Sequence, residues 1–234
     1  HHLFAAKKDQ HRNIWSFPSS IDREHFSKCR QIKVDPDDQS AIPSPRLGYY
    51  GVIDERIDIA LIDEVASRRP DWQIVLVGPV VKIDPDMLPR RPNIHYLGQK
   101  KYQELPDYLA GWDIAIMPFA LNDSTKFISP TKTPEYLAGG KHVISTPITD
   151  VVNDYGKKGL VNIGDSAESF VEEAEALFAR SEDQRNEWLQ CVDDQLADNS
   201  WDNTWSAMSK IIGQALETNS ALHNKYLQTC SITL

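Results

Sequence analysis

A doubly wound, parallel α/β sheet of about six strands flanked by helices is the fold class this sequence predicts. Three observations point to it. Short, nearly continuous apolar runs such as Trp72-Gln73-Ile74-Val75-Leu76-Val77 have the composition of strands buried on both faces. These runs alternate with segments whose apolar residues recur at helical spacing. Glycine or proline closes several of the runs, at Gly51, Gly78-Pro79, Gly98 and Pro118.

The residues up to 45 precede this pattern. His11 to Pro18 contains a short strand-like run, and Ser19 to Phe26 reads as a loop and helical turn. Asp35-Pro36-Asp37-Asp38 and Ile42-Pro43-Ser44-Pro45 are turn-rich and mark a linker. The first strand of the alternating region is Leu47-Gly48-Tyr49-Tyr50-Gly51. A helix follows from Ile57 to Arg68, with Ile57, Ala60, Leu61, Ile62 and Val65 on one stripe, and Pro70-Asp71 stops it. Trp72 to Val77 is the second strand and Asn93 to Gly98 the third. Tyr102 to Ala110 is a helix with Pro106 near its first turn, and Trp112 to Pro118 is the fourth strand. Lys132 to Ala138 is a short helix stopped by Gly139-Gly140, and His142 to Ser145 is the fifth strand. Leu160 to Ile163 is the sixth, and Asp165-Ser166 caps a helix reaching Ala179. From Glu182 the chain is helical, with Trp188, Leu189, Val192 and Leu196 sharing a face. Ser200 caps a last helix carrying Trp201, Trp205, Met208, Ile211 and Ile212, and the pattern fades after Thr218. The tryptophans Trp188, Trp201 and Trp205 read most simply as core or interdomain packing.

Composition narrows the function. The chain has 234 residues and a net charge of −9, which argues against a nucleic-acid partner, since a phosphate backbone needs a basic face. Cys29, Cys191 and Cys230 are odd in number and far apart, so neither a disulfide framework nor a zinc site is expected. A reducing, cytoplasmic setting fits them. No His/Cys/Asp cluster has metal spacing, so neither a metal nor a cofactor is expected. No apolar run approaches the roughly 20 residues that span a bilayer, and no signal peptide is visible. The chain opens on His1-His2 without a methionine, the look of an excised fragment whose N-terminal partner domain is missing.

In open α/β sheets, ligands sit beyond the carboxyl ends of the strands. Gly51 ends the first strand, and a glycine there lets a backbone approach a ligand closely, although a plain tight turn explains it equally well. The dinucleotide glycine fingerprint is absent, which disfavours a nicotinamide dehydrogenase. Arg56 could grip a diphosphate bidentately or be a solvated helix-end arginine. Gly78 and Leu97 lie at strand ends where a nucleobase could sit, or in turns. The loop from Pro118 to Pro130 is long for such a connection and carries Asn122 and Lys126. Ser129, Pro130, Thr131 and Lys132 bring donors to the next helix start, which suits a phosphate. Glu135 lies three residues after Lys132 on the same helix face and suits ribose hydroxyls. Such Lys/Glu pairs are also common on solvated helices.

The segment Ser129-Pro130-Thr131-Lys132-Thr133-Pro134-Glu135-Tyr136-Leu137-Ala138-Gly139-Gly140-Lys141-His142-Val143-Ile144-Ser145-Thr146 resembles the signature "PxKxxEYLAxGKPVVST" of GT-B glycosyltransferases near the group 1, family 4 enzymes. Phe17 to Phe26 is similar to that family's crossover, and Asn93 to Gly98, Leu105 to Ala110 and Asp113 to Pro118 are similar to its "NVxYLG…ELPxYLAxxDVxxxP" blocks. The resemblance covers roughly His11 to Trp205. It implies the second, C-terminal half of a GT-B architecture: residues 1–45 as interdomain crossover, 46–199 as a Rossmann-like nucleotide-sugar-binding domain, and 200–234 as C-terminal helix and tail.

The resemblance further implies transfer of a sugar from a UDP- or GDP-linked donor to a saccharide or lipid-linked acceptor, with retained configuration and no bound metal. Glu135 would hold the ribose, while Lys132, Arg56 and the Ser129-Pro130-Thr131 backbone would hold the diphosphate. Acceptor binding and any peripheral membrane contact would belong to the missing N-terminal half, leaving this hexosyltransferase fragment inactive alone. Two departures stand out. The family's first glutamate, eight residues before Glu135, is Phe127 here, and its Arg/Lys pair after the first strand is reduced to Arg56. His142 stands where the family has proline. The rival readings are a non-catalytic nucleotide-binding or scaffolding module and a nucleotide-sugar epimerase of the same architecture.

Overall fold

The computed structural model describes residues 2–230 apart from Arg12 and Pro18, with side chains described from Leu3 to Glu217. Three short helices come first: α1 (His2–Lys7), α2 (Arg23–Ser27) and α3 (Asp37–Ser40). Strand β1 (Arg46–Tyr50), helix α4 (Ile59–Arg68), β2 (Gln73–Val77), β3 (Ile94–Gly98), α5 (Leu105–Ala110) and β4 (Ile114–Met117) follow. Then come α6 (Lys132–Ala138), β5 (His142–Ser145), α7 (Thr149–Asp154), β6 (Asn162–Ile163), α8 (Ala167–Phe178), α9 (Glu182–Leu196) and α10 (Trp201–Cys230).

The strands form one sheet in the order β3-β2-β1-β4-β5-β6, and every pair is parallel. This is the doubly wound order, in which the direction of winding reverses between β1 and β4. All five residues of β1 are buried, as a strand covered on both faces requires. Helices α4 and α8 pack together, while α2, α5, α6 and α9 form a second connected group.

Local chemistry explains most boundaries. The Asp58 side chain accepts from Leu61 N–H at 2.9 Å and starts α4, whose buried Leu61, Ile62, Val65 and Ala66 repeat at helical spacing. Ser166 and Ser181 open α8 and α9 with reciprocal capping boxes, and the Ser200 hydroxyl accepts from Asn203 N–H at the start of α10. Trp188, Val192 and Leu196 are buried together.

Some expectations required revision. His11 to Pro18 contributes no strand among the described residues: none of them joins the six-stranded ladder. Only Asn162 and Ile163 of the expected sixth strand join the ladder, although Leu160 and Val161 are buried. Helix α7 had no signal in the pattern, and α10 continues past Thr218 to Cys230. The turn-rich stretch from Asp35 to Pro45 is packed rather than loose: Ile42 belongs to the core and Gln39 is fully buried, and Ile21, Phe26 and Cys29 ahead of it are core residues too. Trp201 and Trp205 stand exposed, at 58% and 65%, whereas Trp188 packs inside. Burial pushes the Cys29 thiol up to about 11, while Cys191 is exposed and Cys230 lies outside the described side chains. No helix among the described residues is long and apolar enough to cross a membrane.

His95 is a packed residue, with Nε2 2.8 Å from Gln73 Oε1. His142 is more unusual. Its ring centroid lies 3.9 Å from that of Trp188, and its buried Nδ1 has no hydrogen-bond partner among the described residues. Burial, with Arg180 and Arg185 adding to it, pushes its pKa down to about 4. Below the ordinary value of about 6.5, the unfolded chain takes up a proton that the folded chain refuses. This contribution is therefore present above about pH 6.5 and is lost as pH falls toward about 4, by up to about 3 kcal/mol. Melting followed between pH 7 and pH 4 should show the loss, and His142→Val should flatten it. An unchanged slope in that variant would assign the acid sensitivity to other groups.

Candidate active site

The reversal of winding between β1 and β4 opens the sheet at Tyr50-Gly51 and Met117-Pro118. Two of the predicted glycines build this edge. Gly51 has φ +142° and donates its N–H to Val77 O at 2.8 Å. Gly78 has φ +148° and donates to Gly98 O at 2.8 Å. A Cβ on Gly78 would lie 1.9 Å from the Gly51 carbonyl oxygen, so the two turns are stacked backbone on backbone. Leu97, beside them, is half-buried and packs on the core.

Helix α6 lays its first turn over the Gly51 turn. A Cβ on Gly51 would lie 2.2 Å from Lys132 Cε and 2.9 Å from Lys132 Nζ. The ammonium is 5.7 Å from the Tyr49 ring centroid and makes no hydrogen bond or ion pair among the described residues. Burial lowers its pKa, against an opposing pull from Glu135. One turn on, Glu135 Oε2 accepts from the Tyr50 hydroxyl at 2.8 Å. Burial raises the Glu135 pKa, while the Tyr50 hydrogen bond and Lys132 draw it back. The predicted shared face of Lys132 and Glu135 is therefore present at the strand ends, and the two side chains are not paired with each other.

The remaining candidates are placed differently. Arg56 is engaged by the buried Asp54, with Nε 2.9 Å and Nη2 2.6 Å from its carboxylate oxygens. That hydrogen bonding raises the Arg56 pKa, and it holds Asp54 below the usual range although burial works to raise it. Its fork is thus already occupied, a partner that strand and helix patterns gave no reason to expect. Asn122 serves a turn: its Oδ1 accepts from Ser124 N–H at 3.0 Å and Thr125 N–H at 3.2 Å. Lys126 lies in the exposed loop with Nζ 5.5 Å from the Phe127 ring centroid. Ser129 and Thr131 are exposed, Pro130 half-buried, and Ser19 Oγ donates to Ser129 O at 3.4 Å. Thr131 provides no side-chain cap to α6.

Residues missed in the sequence complete the picture. Tyr50 joins Glu135, and the Tyr136 hydroxyl accepts from Tyr50 N–H at 3.0 Å. Both read as ordinary apolar strand and helix positions, so only packing could reveal them. No group of three or more His, Cys, Asp or Glu is arranged to hold a metal ion among the described residues.

Known proteins match the chain in sequence and in fold. The family model described as "Glycosyl transferases group 1" matches residues 45–180. A Bacillus subtilis (strain 168) protein named for a glycosyltransferase role in teichuronic acid biosynthesis, TuaH, is 35% identical over 103 residues, 43% of this chain and 26% of that protein. The chain thus spans about a quarter of that relative's length. Sucrose-phosphate synthase from Thermosynechococcus elongatus shares the fold at TM-score 0.65 and 15% identity, over 92% of this chain and 56% of that one. The C-terminal domain of a group 1 family glycosyl transferase, LpcC, from Francisella tularensis superposes at TM-score 0.51 and 16% identity, over 77% of this chain and 93% of that domain.

The stacked glycine turns yield a direct test. Gly78→Ala should destabilise the fold by at least about 2 kcal/mol, since a left-handed backbone strain is added to a backbone clash. Denaturant midpoints of the variant and the unaltered chain measure it. A loss within about 0.5 kcal/mol, as at an ordinary surface position, would mean that the two turns separate freely.

Proposed function

The chain belongs to the group 1 glycosyl transferases, and on that premise we propose that it is the donor-binding half of a GT-B enzyme that takes a nucleotide diphosphate sugar. The observation that carries this reading is the placement of Lys132 and Glu135. A half-buried ammonium with no hydrogen bond or ion pair among the described residues lies over the bare Gly51 turn, one helical turn from a half-buried carboxylate. Partly desolvated charges of opposite sign without ion pairs at a sheet's carboxyl edge favour a ligand that carries complementary groups at matching spacing.

A nucleoside diphosphate has those groups. Glu135 accepts the ribose hydroxyls, and Lys132 faces the diphosphate, which the absence of a side chain at Gly51 lets come close. Transfer breaks the bond between the sugar's anomeric carbon and the β-phosphate oxygen. Negative charge then grows on the leaving diphosphate, and a fixed ammonium in a partly dry site stabilises it more there than in the ground state. The bond that forms joins the anomeric carbon to the oxygen of an acceptor hydroxyl of a saccharide or lipid-linked glycan, whose proton passes to the leaving diphosphate, in surface polysaccharide synthesis and with configuration retained. The acceptor site, and any contact with a membrane surface, belongs to an N-terminal half. This chain alone therefore binds donor and turns over poorly. UDP- or GDP-linked hexoses are the donors of choice to test, and Arg56, held by Asp54, contributes less than Lys132.

Two observations favour a second reading, a nucleotide-binding module without catalysis. Phe127 stands at the position where the resemblance implies an acid, and Arg56 is already paired. Turnover by this chain joined to its acceptor half separates the readings.

Calorimetric titration of the chain with UDP, GDP and their sugars tests the proposal. One nucleotide should bind saturably, and Lys132→Ala and Glu135→Ala should each weaken it at least about tenfold, the scale of one charge-assisted contact. Arg56→Ala should weaken it less. Equal binding by all three variants would place the nucleotide elsewhere.

A further inference from the structure

Resting on that donor reading, we infer that Tyr50 is a positioning residue: its hydroxyl fixes the Glu135 carboxylate in the orientation that receives the nucleotide's 2′- and 3′-hydroxyls. Tyr50 is the last residue of β1 and only 3% exposed. Its ring is clamped from several elements. The Tyr136 ring of α6 meets it edge-on, with centroids 4.7 Å apart and planes at 72°. Phe26 of α2 stacks at 6.2 Å, and Trp112 lies at 5.9 Å. Tyr136 also accepts the Tyr50 backbone N–H, so backbone and ring are both fixed.

One polar atom leaves this aromatic cage, and it points at the candidate ribose acceptor. The Tyr50 hydroxyl donates to Glu135 Oε2 at 2.8 Å. Glu135 receives no other side-chain hydrogen bond and no ion pair among the described residues, so this contact sets the tilt of the carboxylate. Oε1 and the remaining lone pair of Oε2 stay open, which is what two adjacent hydroxyl donors need. A rigid ring with a preset hydroxyl holds the acceptor without ordering a flexible side chain on binding.

The same contact acts on the charge of Glu135. The titratable groups facing Glu135 are Tyr50 from β1, Lys132 and Tyr136 from its own helix, and Tyr102 ahead of α5. All three tyrosines are shifted upward, chiefly by burial, and stay protonated at neutral pH. Removing the Tyr50 hydroxyl leaves Lys132 alone to oppose burial, so Glu135 takes up its proton at a higher pH.

The experiment is titration of the unaltered chain, Tyr50→Phe and Tyr136→Phe with UDP, GDP and their 2′,3′-dideoxy counterparts across pH. Tyr50→Phe should weaken the ribonucleotide about tenfold, the usual scale of a hydrogen bond to a charged group. It should leave the dideoxynucleotide unchanged, and the acid limb of the ribonucleotide profile should move to higher pH. Tyr136→Phe should lower the melting temperature without altering the ratio of ribo to dideoxy affinity. Equal weakening of both nucleotides by Tyr50→Phe, or weakening of neither, overturns the inference and leaves the donor reading intact. Failure of the unaltered chain to bind either ribonucleotide overturns both.

Discussion

The missing side chain of Gly48 is the constraint on which the candidate site depends. A Cβ there would lie 1.8 Å from the Trp112 indole, so the ring occupies the space that any other residue would fill. Trp112 is 1% exposed, and its Nε1–H donates to Gln39 Oε1 at 2.9 Å. Seated so deeply, it serves as a wall for Tyr136 and Tyr50 at 6.0 and 5.9 Å. Tyr136 is fully buried and is part of α6, the helix that carries Lys132 and Glu135. A chain of close packing thus runs from a central strand to the two charged groups, and dense interiors transmit such placement well.

Charge at the site follows a division that burial imposes. Asp54 and Arg56 satisfy each other, since an isolated buried carboxylate would be costly. Lys132 and Glu135 are left half-buried and apart, with a tyrosine hydroxyl beside the carboxylate and bare backbone under the ammonium. Desolvation shifts the two in opposite directions, lowering the lysine and raising the glutamate. A partner of complementary charge or hydrogen bonding would draw each back toward its ordinary value. That is the electrostatic condition of a binding site, whereas the Arg56 pair is that of a structural one.

The amino-terminal stretch shows why composition misleads about packing. Residues 35–45 read as linker because prolines, aspartates and serines dominate them. Yet Arg46, nearly buried, pairs with Asp35 at 2.7 Å, and Gln39 Nε2 donates to Tyr108 O at 3.0 Å. A polar segment can be internal when each buried polar group finds a partner. The Gln39 partners come from α5 and from the turn before β4, far away in sequence, whereas Asp35 meets Arg46 at the start of β1.

The sequence by itself determined the alternation, the strand cores and the helix caps. Apolar runs, helical spacing, and Ser, Asp and Gly at element ends are local properties that scarcely depend on distant residues. It also put Lys132 and Glu135 on one face, because helical geometry alone requires it. Tertiary structure decided the rest. The strand order set which ends meet, and stacking of Gly78 on Gly51 formed a surface that neither turn predicts. Asp54 withdrew Arg56, a turn withdrew Asn122, and Tyr50 was brought to Glu135 across 85 residues. The Asp54 and Asn122 contacts lie within two or three residues but depend on loop backbone that follows neither period, and the Tyr50–Glu135 contact depends on β1 and α6 meeting in the fold.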